Sequence, residues 1–85
     1  MSQRERTADE IAEIYDHAAA SVKVIDSTKG EFETEDYWKD RVKRNWRHLE
    51  IIKSYKKADD ETSIWTTEDF TAIDAAIIKG KGINP

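Results

Sequence analysis

Apolar residues recur along this chain at helical spacing. Ile11, Ile14, Tyr15, Ala18, Val22 and Ile25 follow one another three or four residues apart, the interval that places side chains on one face of an α-helix. The run opens with Thr7-Ala8-Asp9-Glu10, which fits a capping box. The threonine hydroxyl accepts the backbone N–H three residues on, and Glu10 reaches back. Asp9, Glu10 and Glu13 then sit in the first turns, where the helix dipole favours negative charge. The pattern predicts a first helix over about residues 8–28. Val24, Ile25 and Thr28 weaken the helical preference at its end, and Gly30 is expected to supply a left-handed closing residue.

A second stripe follows Thr34, with Glu35 and Asp36 in its first turn. Trp38, Val42, Leu49 and Ile52 share one face, and Asn45 falls on it too. Trp46 and Ile51 widen that face, while Tyr37, Arg41, Arg44 and His48 occupy a neighbouring one. No glycine or proline interrupts residues 31–79, so the expected helix covers 35–57, about 23 residues and about 35 Å. The third element starts at Thr66, a natural N-cap, with Trp65 and Phe70 placed as a hydrophobic staple across it. Phe70, Ile73 and Ile77 form its buried stripe, flanked by Ala76 and Ile78. Gly80 is expected to end the helix, giving 67–79 and a short Lys81–Pro85 tail. The polar stretch KKADDETS, residues 56–63, connects the second and third helices. The weak strand-like alternation at Ser21–Ile25 is absorbed by the first helix, and no internal repeat is present. The expected fold is one all-α domain over residues 1–85. It is either an antiparallel three-helix bundle or a helical hairpin with a short third helix packed across it.

Composition narrows the function classes. Charged residues and apolar residues each make up 38% of 85 residues, so the core is modest and a face buried on a partner or a second copy would add stability. The absence of cysteine excludes a disulfide scaffold, thiolate zinc sites and thiol catalysis. Residues 1–10 are polar and charged and read as no secretion signal, and no apolar run approaches the ~20 residues of a membrane span. The expected location is a cytoplasm, or a particle assembled in one.

Charge is segregated by segment. Residues 7–28 hold five acids and one lysine, a net of −4; residues 35–57 hold eight Lys or Arg against four acids, a net of +4; residues 58–85 hold six acids and two lysines, again −4. One reading is internal neutralisation of the middle helix by its neighbours, through exposed pairs that contribute fractions of a kcal/mol each. The sharper reading has Lys39, Arg41, Lys43, Arg44 and Arg47 meeting an acidic protein surface or phosphates. The overall charge of −4 disfavours nucleic acid, since nucleic-acid modules are usually basic.

Few residues invite chemistry. His17 and His48 lie on different helices, and the nucleophile or carboxylate that a catalytic histidine needs (Ser21, Asp16) reads as ordinary helix surface. The acid pairs Asp9-Glu10, Glu35-Asp36 and Glu68-Asp69 sit at helix starts, where the dipole accounts for them. No known catalytic motif or phosphate-binding glycine loop is present. The expectation is therefore a non-enzymatic chain with no cofactor, no metal site and no small-molecule substrate. Trp38 and Trp46, eight residues apart, lie about 80° apart around a helix and are not expected to enter one narrow core together. One of them, with Trp46 the choice, then becomes either a partner anchor or a rim residue that shields the bundle. Asn45, on the buried stripe, is a candidate for fixing register or pairing. The expected partner-binding set is Trp46, Arg44, Arg47, Lys43, Arg41 and Trp38, directed at a protein partner or a second copy.

The stretch Arg44-Asn45-Trp46-Arg47-His48-Leu49-Glu50, followed by Trp65-Thr66-Thr67-Glu68-Asp69-Phe70 and Ala75-Ala76-Ile77, resembles small helical proteins of tailed bacteriophages. The shared pattern is an Arg-Asn-x-x-His-Leu-Glu helix and a Trp-Thr-x-Glu-Asp cap before a closing Ala-Ile helix. It covers about the second half of the chain. The first helix and the KKADDETS spacer have no counterpart in it. The resemblance implies a virion, assembly or accessory role, with no active site.

Overall fold

The structure, a computed structural model, describes residues 6–56 and 62–85. It is an all-α three-helix bundle: α1 (Ala8–Asp26), α2 (Glu35–Ile52) and α3 (Thr67–Ile83). All three helices start on a threonine. The hydroxyls of Thr7, Thr34 and Thr66 accept the backbone N–H groups of Glu10, Tyr37 and Asp69, and the first and third caps are complete capping boxes. Each cap satisfies an N–H that has no partner inside its helix, worth about 1 kcal/mol.

The helix ends differ from the sequence expectation. α1 stops at Asp26, because Ser27 turns back: its hydroxyl donates to the Lys23 carbonyl at 2.7 Å. Serine here offers the backbone an alternative to another helical turn. Gly30 is not in the left-handed region and does not cap the helix; its N–H donates to Glu33 Oε1 at 2.7 Å. α2 ends at Ile52, short of Lys57, which lies outside the described residues. The Ile52 carbonyl accepts the Tyr55 N–H and the Trp65 indole N–H, so a residue from beyond the connection closes this helix. Lys56 and Ser63 form an isolated antiparallel bridge at the mouth of that connection. α3 runs through Gly80 to Ile83, with Asn84 as its C-cap.

The last difference has a steric cause. A Cβ at Gly80 would lie 2.8 Å from both Cβ and Cδ1 of Trp46. The glycine lets α3 approach α2 closely enough to bury the indole, and that burial outweighs the ~1 kcal/mol glycine costs within a helix. Further pairings fix the directions. Lys53 meets Asp74 and Glu50 meets Lys81, so α3 runs antiparallel to α2. His17 on α1 faces His48 on α2, and Asp26 at the end of α1 bridges Lys79 near the end of α3. The order is up–down–up, with α1 and α3 parallel.

Ile25, Val42 and Leu49 are completely buried, and Trp46, Ile52, Ile73, Ile77 and the two alanines Ala18 and Ala76 complete the helical part of the core. Ile64 and Trp65, between the connection and α3, are also core residues. Trp65 is thus more than one arm of a staple: it packs edge-on against Tyr15, with ring centroids 4.8 Å apart. The Tyr15 hydroxyl donates to the Ile64 carbonyl and, at 3.1 Å, to Asp69 Oδ2, tying α1 to the start of α3.

Candidate protein-interaction face on the second helix

The outward face of α2 is built from residues whose positions on the helix are fixed by burial on the opposite side. Val42, Trp46, Leu49 and Ile52 are buried, so at 100° per residue Asp40, Arg44, Arg47 and Ile51 cluster within a 60° arc facing away from the core. Lys43 and Tyr37 flank that arc. Tyr37 and Ile51 are 55% and 59% exposed, and they bracket the cations over about 21 Å of helix. Arg44 is paired with Asp40 at 3.3 Å, an exposed i,i+4 bridge of little energetic weight. Lys43 and Arg47 have no ion-pair partner among the described residues. Phe32, on the turn before α2, is 96% exposed.

The other candidates from the sequence are engaged inside the fold. Trp46 is 8% exposed: its indole N–H donates to the Asn84 carbonyl at 2.9 Å, and the Lys81 ammonium lies 5.0 Å from its ring centroid. It is a core residue and the clasp for the end of α3, so the expected partner anchor is corrected. Trp38 is half-buried and packs on the same core. Both tryptophans fit because α2 lies between two helices, which widens its buried arc beyond that of a narrow core. Arg41 is also withdrawn from the surface; its guanidinium donates to Glu33 Oε1 at 2.9 Å, and that same oxygen accepts the Gly30 N–H. Arg41 therefore pins the α1–α2 loop. The side chain of Asn45 donates to the Arg41 carbonyl one turn back at 2.7 Å, so it serves its own helix rather than pairing. Lys39 is partly buried beside the chain end, where its carbonyl accepts the Asn84 amide at 3.0 Å.

Two groupings escaped the sequence reading because they join distant segments. His17 and His48 approach to 6.3 Å between ring centroids, with Glu13 Oε1 3.9 Å from His17 Nε2. Among the described residues no group of three or more His, Asp or Glu is arranged to hold a metal ion. Ser21 is buried on the core side of α1, not on the surface as expected. The second grouping is Tyr15 with Asp69. Burial, followed by the bond to the Asp69 carboxylate, pushes the Tyr15 hydroxyl above the ordinary tyrosine value. The Thr66 backbone N–H holds the Asp69 carboxyl below its usual range. Both groups stay in the charge state their bonds require, so the pair fastens the structure and has no proton in play near neutral pH.

No helix among the described residues is long and apolar enough to cross a membrane. No family model, no curated protein and no solved structure matches the chain.

Proposed function

We propose that the chain is a non-enzymatic protein-interaction module that presents the outward face of α2 to an acidic protein surface. The observation that carries this reading is the placement of Lys43 and Arg47, with no ion-pair partner among the described residues, along the stretch between the exposed Tyr37 and Ile51. Cations set among exposed apolar groups give a partner both steering and a desolvated contact. The setting is the one the resemblance implies, a small structural or assembly protein of a tailed bacteriophage acting in the virion or the host cytoplasm. Nucleic acid is the weaker alternative, because Arg41 is held by Glu33 and the chain as a whole carries a net charge of −4.

The test is a photo-crosslinking residue placed at position 47, and at Ala20 on α1 as a control, in cells that make the protein. A discrete adduct to one protein from position 47 alone, lost in Lys43→Glu, supports the reading. An adduct to nucleic acid, or none, refutes it. Co-sedimentation of the protein with assembled particles tests the virion setting.

A further inference from the structure

An open groove of about 460 Å³, with no lining residue from α2, lies between α1 and α3. Its floor is small and apolar: Ala18, Ala19 and Val22 from α1, and Ala72 and Ile73 from α3. Ala19 and Ala72 are exposed, and so are Ala12, two turns before Ala19, and Ala75, one turn after Ala72. In a chain in which 38% of residues are charged, this face keeps its charges at its two ends. Asp69 lines the groove at the end where α3 begins, and helical spacing sets Glu68 one turn before Ala72 and Asp16 one turn before Ala19 at that same end. Lys23 and Asp26 line the other end, where Asp26 bridges Lys79, two turns on from Ala72, at 3.3 Å.

We infer that this α1–α3 face pairs with the same face of a second copy across a two-fold axis, so that α1 and α3 run antiparallel to their counterparts and form a four-helix layer. The charge pattern selects both the partner and the direction. Because α1 and α3 are parallel, each face has one acidic end and one end carrying its lysines. A two-fold axis sets the acidic end of one copy on the lysine end of the other at both extremities, whereas a parallel arrangement would bring like charges together. The alanines allow the helices to approach closely. Two helices about 25 Å long, side by side at about 10 Å, present a footprint of roughly 500 Å² per copy, or about 1,000 Å² for the pair. That sits at the lower bound for a specific interface, so the dimer is concentration-dependent. This face is separate from the α2 face, and either can fail without the other.

The experiment is sedimentation equilibrium on the full chain from about 10 μM to about 1 mM, with light scattering as a second measure of mass. The expected result is a monomer–dimer equilibrium in that range. Ala72→Arg, at an exposed position on the groove floor, should weaken the dimer at least tenfold with the helical circular dichroism unchanged. Arg47→Glu, on the α2 face, should leave it unaffected. Lys23→Glu and Glu68→Lys should each weaken association, and the two together in one chain should restore it. A monomer at all concentrations, a dimer indifferent to Ala72→Arg, or a charge exchange that fails to restore pairing would each overturn the inference.

Discussion

Replacing Gly80 by alanine tests the reasoning about close helix approach most directly, because propensity and packing give opposite signs. By intrinsic preference alone the change stabilises α3, since alanine exceeds glycine by about 1 kcal/mol within a helix. Packing predicts the reverse. The added Cβ would lie 2.8 Å from Trp46 Cβ and Cδ1 and 3.1 Å from its Cγ. Trp46 Cβ is fixed to the α2 backbone and cannot rotate away, so the helices must separate by several tenths of an ångström. Overpacking of this kind costs about 1–3 kcal/mol, and the rigid neighbour places it in the upper part of that range. The net expectation is a loss of about 1–2 kcal/mol, seen as a fall in Tm of roughly 5–15 °C for a domain of this size. Gly82 is the control on the same helix: a Cβ there meets nothing within 4 Å, so Gly82→Ala should raise Tm by a few degrees. Thermal and urea unfolding followed by circular dichroism measure both. A Gly80→Ala protein as stable as the parent would show that α3 does not depend on close contact with Trp46.

Trp46→Ala should cost about 3–5 kcal/mol and the Asn84 clasp, so urea unfolding should find little folded protein left; a small loss would return Trp46 to the surface. The lowered Asp69 pKa gives stability that is present above the unfolded value of about 3.9 and is lost as pH falls through the folded value, so Asp69→Asn should flatten the acid limb of stability against pH. The raised Tyr15 pKa has the opposite sense: its contribution is present below about 10 and disappears as pH rises through the folded value. Tyr15→Phe should therefore flatten the alkaline limb, and an unchanged limb in either variant counts against the clasp. Thr66→Ala should lose about 1 kcal/mol by urea midpoint, and Thr67→Ala, outside the capping bonds, much less.

The parts of the fold legible in the sequence are those set within a few residues. Thr7, Thr34 and Thr66 are recognisable because a cap needs only its own hydroxyl and an N–H three positions on, and the stripes of α1 and α2 are visible because burial repeats with the helical turn. What was misread depends on distant partners. The end of α2 is decided by the Trp65 indole, 13 residues beyond Ile52. Gly80 has the local signature of a helix stop, and its actual role, room for Trp46, is a property of two helices together. Of the expected interaction residues, Arg44 and Arg47 stand on the outward face of α2 and Lys43 on its flank. Arg41 lies on a face that periodicity marks as surface, because Glu33, its partner, is in a loop with no periodicity to place it. A helical wheel puts Trp46 outward by supposing one neighbour for α2 where there are two.

The Tyr15 hydroxyl also bears on the order in which the chain acquires its structure. Its two acceptors lie 49 and 54 residues along the sequence, so the bond closes only after the chain has reversed direction twice. Contacts so far apart carry a loop-closure cost that the three threonine caps and the helical stripes, formed from neighbours, do not. The hydroxyl is therefore expected to bond only as the bundle closes. Tyr15→Phe should then speed unfolding more than it slows folding, and an equal slowing of folding in urea-jump kinetics would refute this.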